Sequence, residues 1–264
     1  MNKLIILAAM LAITLSVSAA EKSEDESIGT RFHRETSFGQ NGYVGSNPAF
    51  GKKVAQFKTY PNAVKIQLPA PLPISSSIDS ALQERRSKRS FTGDPLTLEQ
   101  LSTVLTAAAS FTGVSAGYRY RTAPSGGALY PIEIYVLTHN TDSIEAGLYH
   151  YQVADTSLEL IRAGDLSKEV HEAANDQFSV GSSPATLIIT SRWNRTITKY
   201  ADRGYRYAYI ECGAITQNIY LTTTSLKLGT CAVGAFDDEA TNELLEIDGT
   251  EESALMIMPL GVPK

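Results

Sequence analysis

Lys199 and Tyr200 stand side by side in the run from Arg195 to Tyr207. Both side chains become proton donors or acceptors once burial or neighbours change their charge balance. Arg195, Arg203 and Arg206 in the same run would disfavour a further cation beside them. A second group is Arg85, Arg86, Ser87 and Arg89, just before Phe91 and the turn at Gly93-Asp94-Pro95. Guanidinium groups grip phosphate bidentately, and a hydroxyl adds a hydrogen bond. Arg85 and Arg89 are four apart and would share one face if the helix before them continued. The third group runs from Arg121 to Pro131 and includes Pro124, Ser125, Gly126 and Gly127. Two residues without a Cβ let a flat ligand approach the backbone closely. The fourth runs from Ala232 to Asp238, where Gly234 and Ala235 leave similar room and Asp237 or Asp238 caps the next helix. Each run also has an ordinary reading: a cationic helix start, a solvated basic face, a capped turn, and a strand-to-helix turn.

Several elements must position these groups. Ile78 to Arg86 reads as a short helix. Thr97 and Gln100 form a capping box before apolar residues at helical spacing (Leu98, Leu101, Val104, Leu105, Ala108). Ile132 to Leu137, Leu148 to Val153, Leu158 to Ile161 and Ala185 to Thr190 read as strands. Asp165 to Ala174 is helical. Arg206 to Leu228 is the longest predicted helix, with Gly229 at its C-terminal stop. Thr230 to Val233 is a strand, Asp238 to Leu245 a helix and Leu255 to Leu260 a closing strand. Helices and strands alternate without a regular βαβ repeat, which places the chain in the α+β class.

The 264 residues divide into three stretches. Residues 1–20 carry Lys3, an apolar run and small residues ending at Val17-Ser18-Ala19 or Ser18-Ala19-Ala20, the pattern of a signal peptide. That run is short for a membrane span, and the expected location is periplasmic or secreted. Residues 21–75, rich in Ser, Gly, Asn and Pro, read as a poorly structured, extended N-terminal arm. Residues 76–264 read as one domain. Without residues 1–20 the chain has 22 basic and 28 acidic side chains, a net −6 that argues against general nucleic-acid binding. The two cysteines, Cys212 and Cys231, suit either an exported disulfide or two small buried hydrophobes. The four histidines are scattered, and no spacing suggests a metal site.

Taken in order, the four runs resemble the SagB-type dehydrogenase branch of the nitroreductase superfamily, whose members include flavin enzymes that oxidise peptide azolines to azoles. The resemblance covers about residues 31 to 262 and extends to His33-Arg34-Glu35-Thr36 and Tyr60-Pro61 in the arm. It implies FMN, a mixed sheet flanked by helices, and a homodimer with flavin at the subunit interface. It would make Arg85, Arg86, Ser87 and Arg89 the holders of the FMN phosphate and ribityl chain. Pro124, Ser125 and Gly126 would line the ring from the partner subunit, Gly234 and Ala235 would face its other side, and Lys199 and Tyr200 would be the catalytic base pair. Two departures stand out. Ala128 stands near the place of an Asn in typical nitroreductases, and Lys264 is the candidate for the basic phosphate ligands they carry near the C-terminus.

The expected function is therefore an exported FMN-dependent oxidoreductase, in which flavin N5 takes hydride from one partner and passes electrons to another. Its substrate would be a small molecule or a peptide, with azoline-to-azole dehydrogenation as the narrower form. The alternatives are a non-catalytic flavin or nucleotide-binding protein and a cofactor-free interaction protein. No membrane span is expected after residue 20.

Overall fold

The computed structural model describes residues 26–39, 49, 51–115 and 117–264; the signal-peptide reading of residues 1–20 lies outside them. Residues 1–45 and 46–264 form separate units. The first contains helix α1 (Ile28–Glu35), capped by Ser27, whose hydroxyl accepts from the Thr30 amide. That segment, read as poorly structured, thus includes a capped helix.

In the second unit seven strands form one sheet in the order β1-β6-β5-β4-β7-β9-β8: β1 (Lys65–Gln67), β4 (Ile132–Thr138), β5 (Gly147–Gln152), β6 (Ser157–Ala163), β7 (Ala185–Arg192), β8 (Gly229–Thr230) and β9 (Glu252–Gly261). Every pairing in it is antiparallel. β1 comes from the stretch read as an arm and forms one sheet edge against β6. β2 (Phe111–Ser115) and β3 (Tyr118–Arg121) make a separate hairpin that the sequence pattern did not mark.

Helices cover both faces, which is why the central strands are buried along almost their whole length rather than at alternate positions. The two-residue period sends Ile132, Ile134 and Val136 towards α3 (Leu98–Ala109) and α7 (Arg203–Ser225). It sends Tyr135 and Leu137 towards α4 (Ser167–Ala173), α5 (Phe178–Gly181) and α8 (Asp238–Leu244). The Thr97–Gln100 capping box forms, and Asp237 is the cap of α8. α2 (Ile78–Glu84) and α6 (Asn194–Tyr200) complete the helices used below.

Two expectations need correction. Gly229 does not end α7: the helix stops at Ser225, Lys227 takes the left-handed conformation (φ 58°), and Gly229 already belongs to β8. Cys212 and Cys231 are both free and buried, in cores on opposite faces of the sheet. The hydrophobe reading of both holds, and the disulfide does not form.

Among the described residues, no helix is long and apolar enough to cross a membrane.

Candidate functional site

α7 organises the sequence groups, with the Lys–Tyr pair and the glycine loop at one end, the arginine run at the other, and the strand into Gly234 and Ala235 running back from there. At its N-terminal end, Gly204 lies against the backbone of Thr196 and Ile197, where a Cβ would come within 2.8 Å. Only glycine lets α6 pack this tightly on α7. Trp193, the N-cap of α6, and Ile197 within it bury against Ala208 of α7 and fix the approach. Lys199 and Tyr200 end α6, and Ala201 follows in a left-handed conformation that non-glycine residues rarely adopt (φ 46°, ψ −143°). Such a conformation costs on the order of 1–3 kcal/mol and persists where the surroundings impose it.

The glycine loop meets this helix end. Residues Gly126–Ala128 form a single 3-10 turn before β4, and left-handed conformations recur at Gly127, Ala128 and Tyr130. A Cβ on Gly127 would sit 2.5 Å from the Tyr200 hydroxyl and 2.7 Å from Lys199 Nζ. Gly126 lies over the Tyr207 ring. Tyr207 stacks edge-on against Tyr200, 4.8 Å between centroids, and its hydroxyl accepts from Arg203 Nε at 3.0 Å. The Lys–Tyr pair and the Ser–Gly loop are thus one site, brought together by two glycine contacts.

Arg195 does not join it. It is buried, pairs with Glu133 at 2.6 Å and donates to the carbonyls of Tyr130 and Ala55. It anchors the loop rather than sitting beside Lys199. Glu133 also meets His150 at 3.0 Å, and His150 meets Glu159 at 3.0 Å on its other nitrogen. Burial opposes charge on Glu133, but Arg195 and His150 outweigh it and hold the carboxyl at about 2. Burial likewise opposes the His150 imidazolium, and its two carboxylates overcome that and raise its pKa.

At the other end of α7, the arginine run is not helical. α2 ends at Glu84, and Arg85 turns into an extended conformation (φ −52°, ψ 121°). The face expected for Arg85 and Arg89 on a continued helix therefore does not exist. The Arg85 guanidinium lies 5.1 Å from the Tyr220 ring centroid, and Ser87 Oγ is 3.0 Å from the Tyr220 hydroxyl. That hydroxyl accepts from the Ala232 amide at 2.7 Å, and the Lys88 amide donates to Thr230. The positive charge of Arg89 acts on Cys231. Tyr220 therefore ties the arginine run to the strand leading into Gly234 and Ala235. Arg86 turns elsewhere, donating to the carbonyls of Gln83 and Arg85. With Lys88 it lines a cleft of about 290 Å³. The Lys264 amide donates to the Ser90 carbonyl, which brings the C-terminal lysine to this end. Gly234 and Ala235 are exposed, with open space where a Gly234 Cβ would be.

Tyr207 and Tyr220 are thirteen residues apart on α7, about 20 Å at the helical rise. Within one chain the Lys–Tyr pair and the arginine run lie at opposite ends of the helix.

Sequence reasoning assigned no role to Tyr207, Tyr220, Arg121 or Glu211. Arg121 lies 4.5 Å from the Tyr130 ring centroid. Glu211 is a buried carboxyl among the apolar positions Ala208, Cys212 and Ile215 of α7. That mismatch in a helical pattern was a visible signal. Tyr220 gave none, because its partners are more than 130 residues away for Ser87 and reach it only in the fold.

A seven-stranded antiparallel sheet covered by helices, with a glycine loop against a Lys–Tyr pair, defines an α+β enzyme-like scaffold. Residues 82–262 match the Nitroreductase family, and the chain belongs to it. A Methanocaldococcus jannaschii protein assigned to the nitroreductases, MJ1384, is 40% identical over 200 residues, covering 76% of this chain and 97% of that one. Microcin B17-processing protein McbC of Escherichia coli is 27% identical over 157 residues, 58% of each chain. A solved structure assigned to a nitroreductase of Anabaena variabilis superposes with TM-score 0.72 at 24% identity, over 92% of this chain and 49% of that one. This chain therefore spans about half of the Anabaena chain, and at that identity the likeness carries the fold.

Proposed function

We propose that this nitroreductase-family oxidoreductase is FMN-dependent, is exported, and builds each site from two copies of the chain. The observation that carries the reading is the contact of Gly127 with Lys199 Nζ and the Tyr200 hydroxyl. The donor set suits the cofactor. Arg85, Ser87 and Arg89 offer cations and a hydroxyl suited to a phosphate and ribityl chain, with Lys264 beside them. Arg86 serves the same grip by capping the α2 carbonyls. Pro124, Ser125 and Gly126 form a surface with little side-chain bulk, suited to a flat ring, and Gly234 and Ala235 form an open one. Because one chain holds these halves about 20 Å apart along α7, a second copy supplies the missing half.

When bound, FMN supplies a hydride acceptor at N5. The chain supplies the rest. Lys199 Nζ, with Tyr200 beside it, takes a proton from the carbon next to the one losing hydride. Gly127 keeps both groups at the loop surface, and Arg195 holds the loop through the Tyr130 carbonyl. The likeness to McbC, named for processing microcin B17, favours a peptide substrate and azoline-to-azole dehydrogenation.

The test is the absorbance spectrum and native mass of the chain without residues 1–20. A flavin band and a dimer carrying two FMN are expected, and a colourless monomer would refute the reading. Turnover of a peptide azoline that survives Lys199→Ala undiminished would remove the base from it.

A further inference from the structure

Glu211 has no place in the scheme above. It lies on α7 one helical turn beyond Tyr207, so both project from one face, towards the Ser125–Gly127 loop. Only 4% of its surface is exposed, and its Oε2 has no hydrogen-bond partner among the described residues. Unpaired carboxylate oxygens are costly to bury and are kept where they do something.

The surroundings are specific. Ser125 acts on the Glu211 carboxyl as a hydrogen-bond donor. The same hydroxyl oxygen accepts from the Tyr130 amide at 2.9 Å, which fixes its direction. One lone pair of Ser125 Oγ remains for a ligand at the loop. The charged and titratable groups facing Glu211 are Arg121 of β3, Arg195 of α6, Tyr130 of the loop and the adjoining Cys212. Arg195 is already committed to Glu133. Arg121 faces Glu133 as well as Glu211, and its Nε is also unpartnered. Burial therefore dominates, and it pushes the carboxyl up to about 7. A plain structural ion pair would do the reverse.

We propose that Ser125 and Glu211 form a proton-storing pair behind the glycine loop, with Glu211 acting through Ser125 to receive the proton that Lys199 and Tyr200 collect from substrate. The proposal rests on the reading that this loop borders the redox site. In the transfer, a proton from the protonated base, carried by water along the loop, bonds to Ser125 Oγ. The original hydroxyl proton passes at the same time to the Glu211 carboxylate. One O–H bond breaks and one forms at the serine, the carboxylate becomes a carboxylic acid, and no electrons move. Gly127, which lies against Lys199 Nζ and the Tyr200 hydroxyl, is two residues from Ser125 in the same loop, so solvent at the loop surface links the two. Glu211 is a positioning residue in this scheme, since it touches neither substrate nor cofactor.

The test uses the chain with Glu211→Gln, which keeps the shape and removes the titration, and with Ser125→Ala, which keeps the carboxyl and removes the link. The first readout needs no cofactor: carbon-13 NMR of glutamate side-chain carboxyls in the flavin-free protein. A carboxyl titrating near 7 is expected in the wild type, absent in Glu211→Gln and shifted upward in Ser125→Ala. If no glutamate titrates near 7, the pair is overturned whatever the cofactor does. The second readout is the pH profile of turnover in the FMN-loaded enzyme. Both variants are expected to lose the inflection near pH 7, and Glu211→Gln to turn over about tenfold more slowly there with FMN still bound. An unchanged profile in a flavin-loaded Glu211→Gln enzyme overturns the relay and leaves the proposed function standing. A wild type that binds no FMN removes the proposed function and the relay together, and the NMR result then shows whether the buried carboxyl stores a proton at all. If Glu211→Gln fails to fold, Ser125→Ala and the wild-type titration decide between the same outcomes.

Discussion

The two ends of α7 are made of different material. The N-terminal end holds a Lys–Tyr pair, a glycine loop, non-glycine residues at positive φ and a buried carboxyl. The C-terminal end holds arginines on an extended segment, tied by Tyr220 to the strand beside them. Of the positive-φ positions among the described residues, Gly127, Ala128, Tyr130 and Ala201 fall at the first end and Lys227 at the second, while the 85–89 segment has none. The contrast fits two tasks. Moving protons and hydride needs side chains held to within a fraction of an ångström, and backbone strain is acceptable where it fixes them. Gripping a phosphate needs charge and donors within reach, which a segment free of strain supplies.

The largest effect should appear at the strained end. Lys199→Ala is expected to lower turnover by roughly 10²–10⁴-fold, the range for a positioned base, with FMN retained. Rapid-mixing kinetics on the flavin-loaded variant check this, and a rate within twofold of wild type would dissolve the contrast. Next comes the anchor of that end. Arg195→Ala leaves buried Glu133 with His150 alone and should cost about 3–5 kcal/mol in urea unfolding. A loss below about 1 kcal/mol would mean that the buried pair does not hold the loop.

Smaller losses belong to the gripping end. Arg85→Ala or Arg89→Ala should each weaken FMN binding by roughly ten- to a hundredfold, the worth of one charge-assisted hydrogen bond. Turnover at saturating FMN should stay near wild type. Equilibrium dialysis with steady-state rates separates the two, and an equal fall in turnover would mean that the ends are not distinct.

The buried network sets the smallest and most graded effect, the pH range of stability. The folded pKa of Glu133 is depressed to about 2, so the stability it adds is complete above about pH 4.5 and is lost as pH falls towards 2. The folded pKa of His150 is raised, so its contribution is complete below about pH 6.5 and is lost as pH rises through the raised value. Melting temperature against pH should therefore decline on both sides. His150→Gln should flatten the alkaline decline, and a curve identical to wild type would show that the imidazolium contributes nothing.

Much of the first end could be read from residue types alone. Lys199, Tyr200, Ser125, Gly126 and Gly127 announce proton chemistry and close approach before any fold is known. That they meet depends on Gly204 and on loop geometry that no local pattern encodes. The arginine run was read correctly as cationic and wrongly as a helix face. Its extended path is set by backbone bonding of Lys88 to Thr230, over 140 residues away. The strands and long helices were legible because their periodicity is strong. β1 and the hairpin were not, since β1 is a three-residue edge strand and the hairpin carries exposed residues along β2. Glu211 was visible as a carboxyl in an apolar helical pattern, but its burial beside Ser125 follows from packing alone.

The central claim, that one site takes its grip from one copy and its proton chemistry from another, is tested most directly by mixing two inactive variants. Lys199→Ala and the double variant Arg85→Ala with Arg89→Ala are refolded together and assayed at limiting FMN. If the ends of α7 serve different sites, mixed dimers contain one fully intact site, and activity should rise well above either parent, approaching a quarter of wild type in a random mixture. Activity no higher than the sum of the parents, with mixed dimers present in the native mass spectrum, would contradict the account.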